Sequence, residues 1–429
     1  MRIWLVHVGE SLPIQPGKER KLRMALFADA LTGLGHDVVW WASTFDHSYK
    51  KHISHTAAQI KVKDHLTIQL LHGSGYRRNV SLRRLIDHRQ LAWNFKRVAP
   101  TVPPPDAIFC TIPTIELAAV ATSFARKLGV PVIIDVRDLW PDIFEQVFPS
   151  PFRPVARLLL TPLRRSVKFA LRNADGIVAV SPSYLQWGLR YAGRSKTDVD
   201  AVFPLGYPRL RVDPAAIREA GDQLLQSGLD PTKKIAWFVG LFGRTYDLST
   251  VIEAARGLDQ CCNAVQFVFS GTGDLEHEWR RQASGLGNVV FTGWVGAADI
   301  AYLMGIAWVG LAAYTADAPQ SYPNKLFEYM SGGLPILSSL GADAAELLER
   351  HGCGLSYRAG DSQDLTEKIM RLLSSEDTWK RLSANSRAAY DQHYSAERVY
   401  GEMAAFVLRV ANDASDKKTL TLQRPRDPE

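Results

Sequence analysis

The stretch Ser321-Tyr-Pro-Asn-Lys-Leu-Phe-Glu-Tyr-Met-Ser-Gly-Gly-Leu-Pro-Ile336 carries the most chemically suggestive spacing in the chain. Pro323 ends an irregular segment, Asn324 has a capping side chain, Lys325 to Ser331 reads as two helical turns, and Gly332 and Gly333 stop them. Asn324, Lys325, Glu328 and Ser331 then share one polar face, while Leu326, Phe327 and Met330 turn inward. Lys325 and Glu328 lie about 4.5 Å apart in rise, the ammonium near a positive helix terminus and the carboxylate one turn deeper. That arrangement suits a nucleoside diphosphate, with phosphate at the helix start and lysine, and ribose hydroxyls at the glutamate. An ordinary surface Lys/Glu pair has the same spacing.

Three further places pair glycine or charge with the end of an apolar run. Lys234-Ile-Ala-Trp-Phe-Val-Gly-Leu-Phe-Gly-Arg244 is a strand ending in a glycine loop with a guanidinium, and Gly240, Gly243 and Arg244 form a diphosphate clamp on paper. Gly271-Thr-Gly273 is a second glycine turn after the strand Val265 to Ser270. In Asp135-Val-Arg-Asp-Leu-Trp-Pro-Asp142, charged residues emerge from an apolar strand at the carboxyl edge where open α/β sheets bind ligands. At the front of the chain, Gly17 with Arg20 and Arg23 offers loop amides and cations to a donor phosphate or an acceptor; a solvated basic first turn reads equally well.

The run Pro-Asn-Lys-Leu-Phe-Glu-Tyr-Met-x-x-Gly-x-Pro-Ile resembles the nucleotide-sugar signature of the retaining glycosyltransferases of family 4, and Arg-Asp-Leu-Trp-Pro is similar to their O-antigen and capsule branch. The resemblance implies the GT-B fold: α/β, two doubly wound Rossmann-like domains facing a cleft, with a C-terminal helix crossing back to the first. It implies that Glu328 holds the donor ribose. Gln320 stands where the family usually has an earlier glutamate that contacts the donor sugar. Arg137 stands where other members have a histidine and so takes the phosphate role, and Asp138 orients the acceptor hydroxyl or accepts its proton. Arg244 matches the family's arginine, whereas Tyr246-Asp247 occupies the place of a lysine-glycine pair, which leaves Lys325 as the remaining cation. Asn288 to Val295 resembles the strand that contacts the base, so Trp294 and Val295 meet a uracil-like ring on this reading, and packing alone would explain them equally well. Leu31 to Val38 resembles a family junction whose histidine, here His36, is structural.

The elements that must position these residues follow from periodicity. Strands are expected at 3–8, 37–42, 107–110, 130–135 and 175–180, alternating with helices at 18–34 and 116–128. A polar stretch after Pro208, reaching Asp230, reads as the interdomain linker. A second alternation follows it, and Trp379 to Val410 is a helical tail. The expected domains are 1–208 with a crossing helix at 391–412 for the acceptor, and 209–390 for the nucleotide-sugar donor; 413–429 is expected to be disordered. No repeat of 20 to 50 residues appears, which excludes solenoids and propellers.

At 429 residues, with 46% apolar and 22% charged side chains, the chain has the composition of a soluble two-domain protein. The 51 basic residues exceed the 44 acidic ones by seven, a surplus compatible with nucleic acid, anionic lipid or phosphate-bearing substrates. Four cysteines show no metal or disulfide pattern, the start lacks the regions of a signal peptide, and no apolar run spans a bilayer. Residues 76–97 hold seven Lys or Arg against one acid, and 150–172 hold six and none. Arg157, Arg164, Arg165 and Lys168 flank an apolar stripe at Leu158 to Leu160, Leu163, Val167 and Leu171, a basic amphipathic helix suited to an anionic membrane surface or to packing on the sheet.

The reading is a retaining, metal-independent glycosyltransferase with no cofactor. It takes a nucleotide-sugar, most simply a UDP-sugar, to a polyprenyl-diphosphate-linked sugar or glycan. It works in the cytoplasm at the inner face of the cell membrane and binds no nucleic acid. A sugar-nucleotide epimerase of the same fold and a non-catalytic basic lipid- or nucleic-acid-binding protein are the alternatives. A dinucleotide oxidoreductase lacks its glycine fingerprint and following acid.

Overall fold

In the computed structural model, which describes residues 1–14, 21–79, 81–261 and 264–422, the apolar runs become the inner strands of two sheets. The chain divides into two units, one of residues 1–204 and 399–429 and one of residues 205–398.

In the first unit eight strands lie in the spatial order Asp200–Val202, Gly176–Ala179, Val132–Val136, Ala107–Ile112, Arg2–Val6, Asp37–Ser43, Leu66–Leu71 and Ala58–Lys63. All neighbours are parallel except the last pair, an antiparallel hairpin. Ile3, Trp4, Leu5 and Val6 are all fully covered, as expected for a strand with helices on both faces. The edge strand Ala58–Lys63 instead alternates partly covered with exposed residues, and its lysines at 61 and 63 discourage further pairing. Strand order reverses between Arg2–Val6 and Ala107–Ile112, so the carboxyl ends there, His7 to Glu10 and Thr111 to Thr114, flank the crevice of a doubly wound sheet.

The second unit repeats the principle with six parallel strands, Val289–Gly293, Val265–Ser270, Lys234–Val239, Ala307–Ala312, Ile336–Ser338 and Gly354–Ser356. Its order reverses between Lys234–Val239 and Ala307–Ala312. Helix Asn324–Gly332 packs on one face of this sheet through Leu326, Phe327, Tyr329 and Met330. Tyr329 ties it to the two switch-point strands: its hydroxyl donates to the Leu311 carbonyl at 3.1 Å and accepts from the Val239 amide at 3.2 Å. A Cβ at Gly310 would meet the Tyr329 ring at 2.4 Å, so only glycine lets the helix lie this close.

Several sequence expectations are corrected. The first helix begins at Arg23, and residues 15–20, including Gly17 and Arg20, lie outside the described residues. The stretch expected as a linker contains the helix Pro214–Gln226, capped by Asp213 and held by buried Ala220 and Leu224. The final helix, Ala396–Leu422, runs ten residues past the boundary expected at 412, with an Arg409 to Asp413 pair one turn apart near that boundary; residues 423–429 lie outside the described residues. Its segment from Val399 joins the first unit, where Phe406 packs on Phe203 and Arg409 donates to the Asp198 carbonyl at 2.8 Å. The stretch 153–172 is two helices, Arg153–Leu159 and Thr161–Arg172, because Pro162 can only start a helix.

Candidate active site

The signature helix departs from expectation at both charged residues. Asn324 is its first helical residue and does not cap it; Pro323 precedes the helix and the first amides carry no side-chain cap. The face expected to be solvated is covered: Lys325 is 5% exposed and Glu328 is 3% exposed. The reason is packing from neighbouring elements that a helical wheel cannot show. Glu328 accepts a hydrogen bond from the Tyr207 hydroxyl at 2.8 Å, a partner 121 positions earlier.

Lys325 is the more unusual. Its Nζ lies 3.9 Å from the centre of the Phe238 ring, 3.9 Å from that of Tyr246 and 5.3 Å from that of Tyr314. It has no hydrogen-bond acceptor among the described residues. Burial holds its pKa well below that of a free lysine, against the pull of the Glu328 charge. An unpaired ammonium costs several kcal/mol to bury, and three ring faces offset only part of that. A Cβ on Gly240 would come within 3.1 Å of this Nζ, so the glycine loop after Lys234–Val239 sits directly against the cation.

That loop is locked to the second glycine turn. Gly240 donates to the Ser270 carbonyl at 3.0 Å, Phe242 to that of Thr272 at 2.9 Å, and Leu275 to that of Phe242 at 3.1 Å. Gly271 has φ of +142°, and a Cβ there would stand 1.8 Å from the Gly240 carbonyl oxygen; at Gly273, φ +157°, it would stand 2.6 Å from that of Phe242. No residue with a side chain fits either position. Gly243 has open space around it, and Arg244 beside it is exposed. Gln320 keeps a buried Oε1 without a partner among the described residues, and Trp294 is 73% exposed beyond the last strand of the turn while Val295 is buried. The structure thus gathers Gly240, Gly271, Gly273 and Lys325 about one switch point, with Arg244 on the same loop.

In the first unit the charged run after Val132–Val136 is already engaged. Arg137 Nη1 lies 2.5 Å from Glu10 Oε1 and 3.2 Å from His7 Nε2, so its expected phosphate role competes with an internal carboxylate. Glu10 also accepts from the Met24 amide at 2.9 Å, and although burial opposes ionisation, Arg137, His7 and that amide hold its pKa below the usual range. His7 contacts the Thr111 hydroxyl at 2.6 Å, and burial followed by the Arg137 charge lowers its pKa to about 3, leaving it neutral. Arg23, read as a ligand contact, is instead a core residue: Nε and Nη2 donate to the two Asp135 oxygens at 2.9 and 3.0 Å, and Nη1 to the carbonyls of Phe203 and Pro204. Asp138 is partly buried, accepts from the Leu139 amide at 2.8 Å, and is pushed upward in pKa by burial. Sequence reasoning missed His7, Glu10 and Thr111; the signal was polar side chains at the carboxyl ends of two apolar strands that flank a switch point.

The expected basic face is also altered. Arg157 pairs with Glu145 at 2.8 Å, and Arg164 with Asp142 at 3.0 Å and with Glu145. Two acids outside the 150–172 window therefore neutralise half of the named cations, while Arg165 and Lys168 stay exposed. The apolar stripe divides: Val167 and Leu171 pack inward, and Leu158 is 74% exposed. Among the described residues no helix is long and apolar enough to cross a membrane.

Two doubly wound units of this kind are the architecture of GT-B glycosyltransferases, and sequence comparison reaches the same class. Residues 22–206 match the family described as glycosyl transferase 4-like domain, and residues 233–375 match glycosyl transferases group 1. The chain belongs to the family 4 glycosyltransferases. It is similar to the O-antigen chain mannosyltransferase C of Escherichia coli, 26% identical over 288 residues that cover 60% of this chain and 72% of the relative. Its fold is similar to Anabaena HepE, solved in complex with UDP, at a TM-score of 0.67, 19% identity and coverage of 95% of this chain and 100% of the other. It is also similar to sucrose-phosphate synthase from Thermosynechococcus elongatus, at 0.70, 16%, and coverage of 96% and 99%.

Proposed function

We propose that the enzyme is a retaining glycosyltransferase that moves a sugar from a UDP-sugar to a polyprenyl-diphosphate-linked sugar or glycan, in surface-polysaccharide synthesis at the inner face of the cell membrane. The observation that carries the donor half is the buried Lys325 ammonium, lacking an acceptor, against a loop where Gly240 admits nothing larger. A nucleoside diphosphate supplies the missing anion. Lys325, Arg244 and the uncapped amides at Asn324 meet the charge that develops on the departing diphosphate, and Gly243, Gly271 and Gly273 let backbone approach it. Glu328 holds the ribose, Gln320 faces the sugar, and Trp294 covers the base. With charge met by these cations, no metal or other cofactor is invoked.

In the first unit, Asp138 orients the acceptor hydroxyl or takes its proton. Burial raises its pKa, which makes it a stronger base toward a hydroxyl seated beside it. Arg137 acts through Glu10 and His7 on this reading, holding the crevice loop rather than phosphate. Exposed Leu158, Leu159, Arg165 and Lys168 support a seat on anionic lipid, and no role for nucleic acid is included. The E. coli relative's name favours mannosyl transfer as a second reading of the sugar.

A thermal-shift panel of UDP, GDP, UDP-glucose and GDP-mannose tests the donor. Ligand at 100 times its Kd stabilises by about 2.7 kcal/mol, and Glu328→Ala removes most of the shift with the nucleotide that acts. No shift with any of the four refutes the proposal.

A further inference from the structure

A second polar cavity lies wholly in the first unit, at the carboxyl ends of its switch-point strands. It is lined by Gly9, Ser43, Pro113 and Thr114 from strand ends and loops, and by Tyr76, Arg84 and His88. Arg84 stands at one wall with its guanidinium carbon 4.3 Å from the centre of the Trp140 ring and 5.3 Å from that of Tyr76. It donates from Nη1 to the Asn79 carbonyl at 3.0 Å, forms no ion pair among the described residues, and leaves Nε buried without a partner. His88 is 3% exposed, stacks on Trp140, and its Nδ1 has no hydrogen-bond partner among the described residues; a Glu116 carboxylate oxygen is 3.9 Å away, beyond a hydrogen bond.

Cationic and histidine side chains gather around Arg84, with Asp46, Asp87 and Asp138 as the acidic groups acting on them. Lys50 lies 4.9 Å from the Tyr76 ring centre and donates to Asn79 Oδ1 at 2.5 Å, and the His47 ring contacts the Tyr76 hydroxyl at 2.6 Å. Burial lowers the pKa of Arg84, Lys50, His47 and His88 alike; for Lys50, His47 and His88 the Arg84 charge lowers it further, while Asp138 and Asp87 pull that of Arg84 upward. The facing carboxylate, Asp87, is committed to the Gly75 amide at 2.8 Å and is itself pushed toward its neutral form by burial. A guanidinium and a histidine nitrogen left unsatisfied in a lined cavity are expensive unless a ligand completes them.

We propose that this cavity seats a phosphoryl group of the acceptor, with Arg84 as its forked donor, His88 Nδ1 as a second donor and Lys50 at the rim. The proposal rests on the acceptor reading above and narrows it to acceptors bearing phosphate. A guanidinium fixed between two rings keeps its planar fork in one orientation, which favours an oxyanion of fixed geometry over a diffuse charge. The small cavity admits the charged group rather than a whole glycan. That group has two sources, a prenyl diphosphate or a phosphorylated sugar.

The test is calorimetric titration of the full chain, presaturated with UDP so that the donor site is closed, using inorganic pyrophosphate, geranyl diphosphate and mannose 6-phosphate. At least one binds, and Arg84→Ala weakens it by about tenfold or more, the loss expected for a charge-assisted bond. Preference for geranyl diphosphate identifies the lipid source and preference for mannose 6-phosphate the sugar source; either supports the site. The UDP shift of the same samples reports folding, so its absence in the wild type refutes the donor reading separately. If Arg84→Ala fails to fold, Arg84→Lys and Lys50→Ala decide. Absence of binding by all three probes, or affinities unchanged in the variants, overturns the proposal.

Discussion

Lys325 Nζ stands 3.9 Å from the centre of the Tyr246 ring, the one on helix Asn324–Gly332 and the other on the loop after Lys234–Val239. The ammonium reaches the space beside Gly240, where a Cβ would stand 3.1 Å from it. The Tyr246 ring, with those of Phe238 and Tyr314, offsets part of the cost of burying that ammonium.

Lys325→Met separates binding from folding. A hydrogen bond to a charged group contributes about 1.5–3 kcal/mol, so kcat/KM falls roughly ten- to hundredfold and the UDP-induced thermal shift shrinks with it. The unliganded protein melts at the same temperature or higher, because an unpaired buried charge has been exchanged for an apolar chain of similar length. A variant that melts lower and still binds UDP normally would make Lys325 a structural residue.

The same residue sets a pH dependence. Burial depresses its pKa in the folded protein, whereas the unfolded chain keeps the ordinary lysine value. Between those two values the unfolded state binds more protons, so stability of the unliganded protein rises with pH across that window. A bound diphosphate favours the ammonium and lifts the depressed pKa, so UDP binding takes up a proton and weakens as pH rises through the window. Titrations in two buffers of different ionisation enthalpy measure that uptake, and Lys325→Met abolishes it.

Both sheets were legible because their inner strands are uninterrupted apolar runs such as Ile3 to Val6 and Ile235 to Val239, buried on both faces. The hairpin Ala58–Lys63 with Leu66–Leu71 was not anticipated; its first strand alternates, as one-sided strands do, within a polar stretch. The glycine turns at 240–243 and 271–273 were found as loops, but their mutual lock required knowing that the two strands before them are neighbours. Burial of Glu328 depends on Tyr207, and engagement of Arg137 depends on Glu10; neither partner is near in sequence, and no local period encodes such contacts. The charge balance of the 150–172 window was hidden for a different reason, since the acids that pair with Arg157 and Arg164 lie just before it in the chain.

Arg23 and Asp135 make a second decisive pair, with both side chains at 0% exposure. Removing one partner strands a charge in the core, which costs about 3–5 kcal/mol, whereas replacing both with apolar residues of similar volume is roughly neutral. Asp135→Ala therefore lowers the melting midpoint of the first unit by roughly 6 °C or more, and Arg23→Met with Asp135→Leu recovers most of it. Calorimetry resolves the two units' transitions. Equal losses in the single and double variants would assign the pair a role beyond charge compensation.

The proposed membrane seat divides the named cations by their partners. Arg157 and Arg164 are spent on Glu145 and Asp142, whereas Arg165 and Lys168 are exposed, as are Leu158 and Leu159 on the preceding helix. Each free basic residue near an anionic leaflet contributes about 1 kcal/mol. Arg165→Ala with Lys168→Ala therefore lowers partitioning onto phosphatidylglycerol vesicles by roughly 30-fold at low salt, whereas Arg157→Ala changes it little. Leu158→Ser with Leu159→Ser lowers it as well, and that loss persists at high salt because it removes buried apolar area rather than charge. Co-sedimentation across a salt series distinguishes the two contributions, and indifference to both double variants would refute the lipid seat on these two helices.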